Sequence, residues 1–395
     1  MRMSELLKRE PFGEVLEDAL SRYCVYKSIS NTITWIYRQP FLIKNDTICQ
    51  VWYANIYTNA LFTNKCRASA FEPFKREFST SLVWWKVLLQ KLYVKAAFSK
   101  MFSPLLSQGT LLLSPGIQNC SNTVIIPGNH KIRVLDFDTN CCYSVMKRGY
   151  QRQKLSDEIM WREKAKSLNV PLPAIKEYCV DKMIVCEEVI VGTPLNRLKK
   201  SDQGSYLHTA KSSLYILMEN TAEITTVMNY KEQLESQIGL LCSSETRLDR
   251  KLLVQIQVIV KKISDALVSD GDASLTIVLT HGDFQPANIL CNDTAVWLID
   301  WEYCGMRQKE FDLMVYDLQA RAPAGLAQRM KAGIAGSKCD QKSSSFVSYT
   351  LTKLRLFILE ELLIRIYENS FDFLTHTDSG ICMFVKEVNL FLEDK

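Results

Sequence analysis

Residues 276–313 read TIVLTHGDFQPANILCNDTAVWLIDWEYCGMRQKEFDL, and their pattern decides the fold. Thr276 to Thr280 is an apolar, β-branched run that stops at His281-Gly282-Asp283. Asn288 follows five positions after Asp283 and leads at once into Ile289 and Leu290. A turn at Cys291-Asn292-Asp293 precedes a second short apolar run, Ala295 to Ile299, which delivers Asp300. The pattern predicts strand, loop, strand, turn, strand, with Asp283, Asn288 and Asp300 at or beside strand ends.

Three such side chains suit phosphoryl transfer. Nucleotide phosphates and their magnesium ions need hard oxygen ligands, normally one or two carboxylates with an amide or waters. Asn288 and Asp300 can supply them. The incoming hydroxyl needs an acceptor that orients it and takes its proton, and Asp283 is placed for that. Asp, four intervening residues, Asn, then Asp on the next strand follows the catalytic-loop and metal-aspartate order of protein kinases. A lone His-Gly-Asp is common, and a buried loop Asp often only caps amides. The joint spacing carries the weight, and His281 reads as a structural hydrogen-bonding residue of the loop.

HGDFQPANIL followed by LIDWEY resembles the Brenner motif and metal aspartate of the aminoglycoside phosphotransferase and choline kinase superfamily. The resemblance implies an α+β, bilobal protein-kinase-like fold, with a small β-rich N-lobe and a larger, mostly helical C-lobe. It makes Asp283 the catalytic base, Asn288 and Asp300 the magnesium ligands, and ATP and Mg2+ the cofactors. The run Asp300 to Met306, closed by Phe311-Asp312-Leu313, leans towards the choline and ethanolamine kinase-like branch. It departs from that branch at Arg307-Gln308-Lys309, where an Asn-Asp pair is usual.

From residue 116 the kinase-like portion can be followed upstream of the motif. Thr123 to Ile126, Lys131 to Phe137 and Cys142 to Met146 read as three strands, joined by turns at 127–130 and 138–140. By resemblance the first turn, with Gly128 and Asn129, is the nucleotide-covering loop. Lys147, ending the third strand, is the phosphate-binding lysine. A helix is predicted over Asp157 to Leu168, capped by Ser156 and ended at Asn169-Val170-Pro171. Glu158 in it is favoured over Glu163 as the ion-pair partner of Lys147. Lys182 to Val191 is a strand resembling the interlobe linker, whose Glu188, Val189 and Ile190 would meet the adenine through main-chain atoms.

The domains expected are 1–115, an accessory N-terminal region; 116–191, the N-lobe; and 192–395, the C-lobe with the catalytic loop. In the accessory region, Glu14 to Tyr23 reads as a short helix and Thr32 to Leu61 as strand-like. Ser79 to Phe102 is helical, with lysines at 86, 91, 95 and 100. Its best apolar face holds Trp85, Leu88, Leu89, Leu92 and Ala96. Such a helix can lie on an anionic membrane surface, but packing of that face on the domain core is favoured. Ser213 to Met228, Arg247 to Val268, Thr350 to Tyr367 and Ile381 to Leu392 carry helical periodicity. The Gly-, Ala-, Lys- and Ser-rich stretch 325–345 reads as a connection.

Composition bounds the function further. Of 395 residues, 47% are apolar and 23% charged, ordinary for a soluble globular chain of two or three domains. A net charge of +5 without dense basic blocks argues against nucleic acid as a partner. Thirteen scattered cysteines without zinc spacing fit reduced thiols in the cytoplasm. The N-terminus has no secretory apolar core, and no run is long enough to span a bilayer.

Only twelve positions separate Asp300 from Asp312, too few for a protein-kinase activation loop. The expected partner is therefore a small molecule with a hydroxyl: an aminoalcohol such as choline or ethanolamine, or a sugar or amino sugar. Trp301, Glu302, Tyr303 and Asp312 are candidate contacts for a cationic acceptor, although Trp301 and Tyr303 equally suit the core and Asp312 equally suits a brace of the loop. The alternative is a catalytically silent, kinase-like nucleotide-binding or scaffold protein. Oligomeric state is not legible in these residues.

Overall fold

The computed structural model describes residues 3–37, 49–78, 83–243, 248–293, 295–335, 348–371, 374 and 379–393. The elements in chain order are α1 (Met3–Arg9), α2 (Phe12–Tyr26), β1 (Thr32–Tyr37), β2 (Gln50–Asn55), β3 (Ala60–Thr63), α3 (Ala68–Glu77), α4 (Trp84–Ala97) and β4 (Gly109–Ser114). There follow β5 (Thr123–Pro127), β6 (Lys131–Asp136), β7 (Cys141–Met146), α5 (Arg152–Ser167), β8 (Ile175–Cys179), β9 (Ile184–Glu188) and β10 (Thr193–Pro194). The remainder comprises α6 (Lys200–Asn220), β11 (Glu223–Thr226), α7 (Val227–Ser243), α8 (Arg250–Leu267), β12 (Ser274–Thr280), β13 (Ile289–Cys291), β14 (Val296–Leu298) and β15 (Gly305–Gln308). Helices α9 (Phe311–Asp317), α10 (Leu326–Ile334), α11 (Leu351–Glu368) and α12 (Ser379–Glu393) complete it. Two compact units result: 1–156 with 173–203 and 290–297, and 157–172 with 204–289 and 298–395. The class is α+β, with the first unit sheet-rich and the second helix-rich.

The first unit is built on one nine-stranded sheet of order β1-β4-β2-β3-β5-β6-β7-β9-β8. The first 115 residues thus supply four strands of the same sheet that carries the predicted nucleotide-side elements. The junction is a single register pair, Leu61 opposite Ile125. Alternation of side chains sends neighbouring residues to opposite faces. Leu61 and Ile125 join the core under α1 and α2, while Ala60, Phe62 and Val124 join a second core with α3 and α4. Trp35 of β1 sets how closely α2 and β4 approach. A Cβ at Gly109 would lie 2.2 Å from its ring, and one at Gly13 2.7 Å.

Four expectations are corrected here. The helical run predicted over Ser213 to Met228 is broken: α6 ends at Asn220 and strand β11 intervenes before α7. Helix α5 begins at Arg152, so Ser156 is not a cap; its hydroxyl bonds back to the Arg152 carbonyl at 3.2 Å. The stretch expected as a connection contains a helix, Leu326–Ile334, and 336–345 lies outside the described residues. The last concerns the helix predicted over Ser79 to Phe102, of which 79–82 lie outside the described residues and α4 is the described part. The expected core face is exposed instead, with Trp85, Leu88, Leu89 and Leu92 at 46, 53, 55 and 55%. Val94 and Ala97, on the other side, are the buried residues.

In the second unit, α7, α8, α11 and α12 enclose an aliphatic core. α8 is started by Asp249, whose carboxylate accepts from the amides of Lys251 and Leu252. β12 pairs on one side with β11 and on the other with β15, which fixes the strand that ends at the motif. The described cysteines are free thiols, and no described helix is long and apolar enough to cross a membrane.

Candidate active site

β12 ends at Thr280, and the chain then turns sharply through Gly282. Gly282 has φ +82°, and a Cβ there would lie 2.0 Å from the Tyr303 carbonyl oxygen, so only glycine fits. Asp312, in the first turn of α9, accepts from the His281 and Gly282 amides at 2.7 and 2.9 Å, one bond to each carboxylate oxygen. His281 is fully buried; its Nδ1 accepts from the Asp283 amide at 3.2 Å and its Nε2 donates to the Ile299 carbonyl at 2.9 Å. That pairing fixes the tautomer, and burial lowers the imidazole pKa, which keeps the ring neutral. The loop is thus braced on both sides before any functional group is placed.

The brace presents Asp283. Its Oδ2 accepts from Asn288 Nδ2 at 2.6 Å and Gln285 Nε2 at 2.8 Å, and its Oδ1 accepts from Arg321 Nε at 2.5 Å. Burial pushes the carboxyl pKa up to about 6, while Arg321 pulls it back and the Asp300 charge adds to the rise. With its amide nitrogen committed to Asp283, Asn288 retains its carbonyl oxygen for a hard cation. The Ile299 amide donates to the Asn288 main-chain carbonyl at 3.0 Å, which sets Asp300 next to this pair. Asp300 has φ +68°, an uncommon backbone for a non-glycine residue, of the kind that clusters at functional sites.

Asp283, Asn288 and Asp300 therefore come together as the motif spacing predicts. Among the described residues no group of three His, Cys, Asp or Glu is arranged to hold a metal. One carboxylate plus one amide is instead the sparse set that magnesium accepts when substrate phosphates complete its shell.

Arg321 has no counterpart in the sequence analysis. Its Nη1 donates to both oxygens of Glu361, at 2.9 and 2.8 Å, and its Nη2 to the Gly282 carbonyl at 2.7 Å. It stands in the tight turn after α9, in an Ala-Arg-Ala-Pro context with no motif spacing to flag it. Of the acceptor candidates, Trp301 is 1% exposed, donates to the Leu298 carbonyl at 2.9 Å and lies against His281. Trp301 and Asp312 are thus engaged in holding the loop. The Tyr303 hydroxyl donates to Glu368 at 2.6 Å and Glu302 is half-buried.

On the sheet-rich unit, the Gly128 amide closes its turn on the Lys131 carbonyl at 2.9 Å, and Asn129 accepts from Arg9 at 3.2 Å. The Lys147 amide bonds the His130 carbonyl at 2.7 Å, so loop and lysine are tied together. Lys147 Nζ donates to both oxygens of Glu10, at 2.7 and 2.8 Å, with both side chains at most 1% exposed. Glu10 belongs to the region the sequence left unassigned. Burial raises its carboxyl pKa and Lys147 lowers it again. Glu158 is buried and accepts from Arg162 one turn on at 3.4 Å. The amides of Glu188 and Val189 bond the carbonyls of Ala174 and Asn140, and Ile190 is half-buried.

Residues 201–319 match the model of the choline/ethanolamine kinase family. The match takes in β12, the loop carrying Asp283 and Asn288, Asp300 and Asp312, and it falls on the branch that the motif resembles. Solved structures similar to the chain include a choline/ethanolamine kinase family protein from Mesorhizobium loti, 14% identical, covering 69% of this chain and 88% of that one, with TM-score 0.43. Choline kinase LicA from Streptococcus pneumoniae is 15% identical, covers 71% and 92%, and has TM-score 0.42. Aminoglycoside phosphotransferase APH(4)-Ia is 13% identical, covers 69% and 89%, and has TM-score 0.44. The comparison with curated proteins gives no match.

Proposed function

We propose that the chain is an ATP- and Mg2+-dependent phosphotransferase that moves the γ-phosphoryl group to a hydroxyl of a small molecule. The observation that carries this is Asp283, held between Asn288 and Arg321 with Asp300 beside it, on a loop braced by Asp312. Asp283 orients the acceptor hydroxyl and takes its proton as the oxygen attacks. Asn288 and Asp300 hold magnesium, which when bound offsets the charge of the phosphates. Gly128, Asn129 and Lys147 serve the phosphates, Glu158 takes the role the resemblance gives it, and Glu188, Val189 and Ile190 serve the adenine. Most of the rate gain comes from alignment and charge neutralisation.

For the acceptor, the family match favours an aminoalcohol such as choline or ethanolamine, with a sugar or amino sugar next. Glu302 and Tyr303 are the contacts proposed for it. A panel of aminoalcohols and sugars assayed for ADP release tests this, with Asp283→Asn as control. The native chain turns over at least one acceptor and the variant none. A variant as fast as the native chain removes Asp283 from the role of base.

A second reading, a catalytically silent nucleotide-binding or scaffold protein, is supported by the buried Glu10–Lys147 pair. In that pair a lysine expected on phosphates meets both oxygens of a carboxylate instead. Magnesium-dependent ATP binding without slow hydrolysis or acceptor turnover would favour it.

A further inference from the structure

Helix α4 is apolar on two sides, and among the described residues only one of them is covered. Val94 and Ala97, with Phe98 beyond the helix end, enter the core formed with Phe62 and Phe74. Trp84, Trp85, Leu88, Leu89 and Leu92 recur at three- and four-residue spacing along the other side. They are 78, 46, 53, 55 and 55% exposed. The apolar surface continues past the helix through Met101, 73% exposed. Solvated apolar surface on this scale is costly unless something covers it.

Charge identifies the cover. Lys86, Lys91, Lys95 and Lys100 are all exposed on or beside the apolar strip, and no Asp or Glu occurs anywhere in residues 78–135. Lys86 Nζ lies over the Trp85 ring, 5.4 Å from its centroid, so a cation sits directly beside the exposed indole. Paired, exposed tryptophans beside lysines match the region of a bilayer where acyl chains meet headgroups. A second copy of the chain fits poorly, because symmetric contact through this face would bring like charges together.

We infer that α4 is a membrane-surface anchor: it lies in the interface of an anionic phospholipid bilayer, with Trp84, Leu88 and Leu92 among the acyl chains and the lysines on the headgroups. This rests on α4 and its flanks alone, so its failure leaves the phosphotransferase reading untouched.

Flotation of the full chain tests it, using phosphatidylcholine vesicles with and without phosphatidylserine. The chain should float with the serine-containing vesicles only, and added salt should release it. Its tryptophan emission should shift to the blue and be quenched by lipids brominated on the acyl chains. Lys86→Gln, Lys91→Gln and Lys95→Gln together should weaken partitioning about a hundredfold, from about fivefold per lysine. Trp84→Ser with Leu88→Ser and Leu92→Ser should abolish quenching while leaving the circular dichroism and melting temperature unchanged, since all three are exposed. Equal binding to neutral vesicles, no acyl-chain quenching, or quenching that survives the triple serine variant would each overturn the inference. So would a concentration-dependent dimer that the same serine substitutions dissolve, which would assign the face to a second copy.

Discussion

The chain buries two charged clusters, one around Asp283 and one around Lys147, and they are assembled in opposite ways. The Asp283 cluster is mostly local: Gln285 and Asn288 lie two and five positions away, and Asp312 braces the loop from the next helix. Several donors share the carboxylate, and it remains at the edge of a loop. The Lys147 cluster joins residues 137 positions apart in sequence, and there the Glu10 carboxylate meets the ammonium with both oxygens. Local assembly places the carboxylate proposed as base, while long-range assembly ties two distant stretches into one sheet-rich unit.

The largest effect expected is at the local cluster. Asp300→Asn should lower phosphoryl transfer about a thousandfold, since it removes the only carboxylate proposed for the metal. An acceptor assay showing less than a tenfold loss would detach Asp300 from the site. At the distant cluster the expected change is in stability. Glu10→Leu strips one partner from a buried ion pair and should cost about 3 kcal/mol in urea unfolding. Adding Lys147→Met should recover most of that loss, because an apolar pair of similar volume is often as stable. If the double variant is no better than the single, the pair is not the element that joins these stretches.

Asp312→Asn sharpens the contrast next. It sets an amide N–H2 against a backbone N–H and should cost about 2 kcal/mol, with kcat falling alongside as the loop loosens. Stability lost with kcat intact would make Asp312 a structural residue only. The smallest effect is at Arg321, which draws the Asp283 carboxyl down from where burial would leave it. Arg321→Gln should move the acid limb of the activity profile up by about one pH unit from its native position near 6. A profile that does not move would leave Arg321 as a brace for Glu361 and Gly282.

The sign of the native pH dependence follows from the same carboxyl. Its folded pKa of about 6 lies above its ordinary 3.8. Between those values the folded chain holds a proton that the unfolded chain has released. As pH falls through 6, this group's contribution to stability therefore rises, while the proposed activity, for which Asp283 must be ionised, should decline.

Local order was legible in the sequence and remote pairing was not. The strands β5, β6, β7 and β12, and the convergence of Asp283 with Asn288, follow from two-residue alternation and short spacing. Glu10 and Arg321 lie outside any motif, and their partners are set by how the sheet and the turn after α9 pack. Ser156 is a residue type that caps helices and so predicts a shorter α5, yet it sits a turn inside the helix. Helix α4 shows a different limit. Periodicity reveals an apolar face, but when a helix has two, only the tertiary structure shows that Val94 and Ala97 are inside and Trp84 and Leu88 outside.

Titration calorimetry of ATP with and without Mg2+, on the native chain and on Asp300→Asn, probes the proposed centre most closely. The native chain should bind the nucleotide markedly more tightly when the metal is present, and the variant should lose that gain while keeping its melting temperature. Nucleotide affinity indifferent to magnesium, or a variant that keeps the full metal-dependent gain, would contradict the assignment of Asn288 and Asp300 as its ligands.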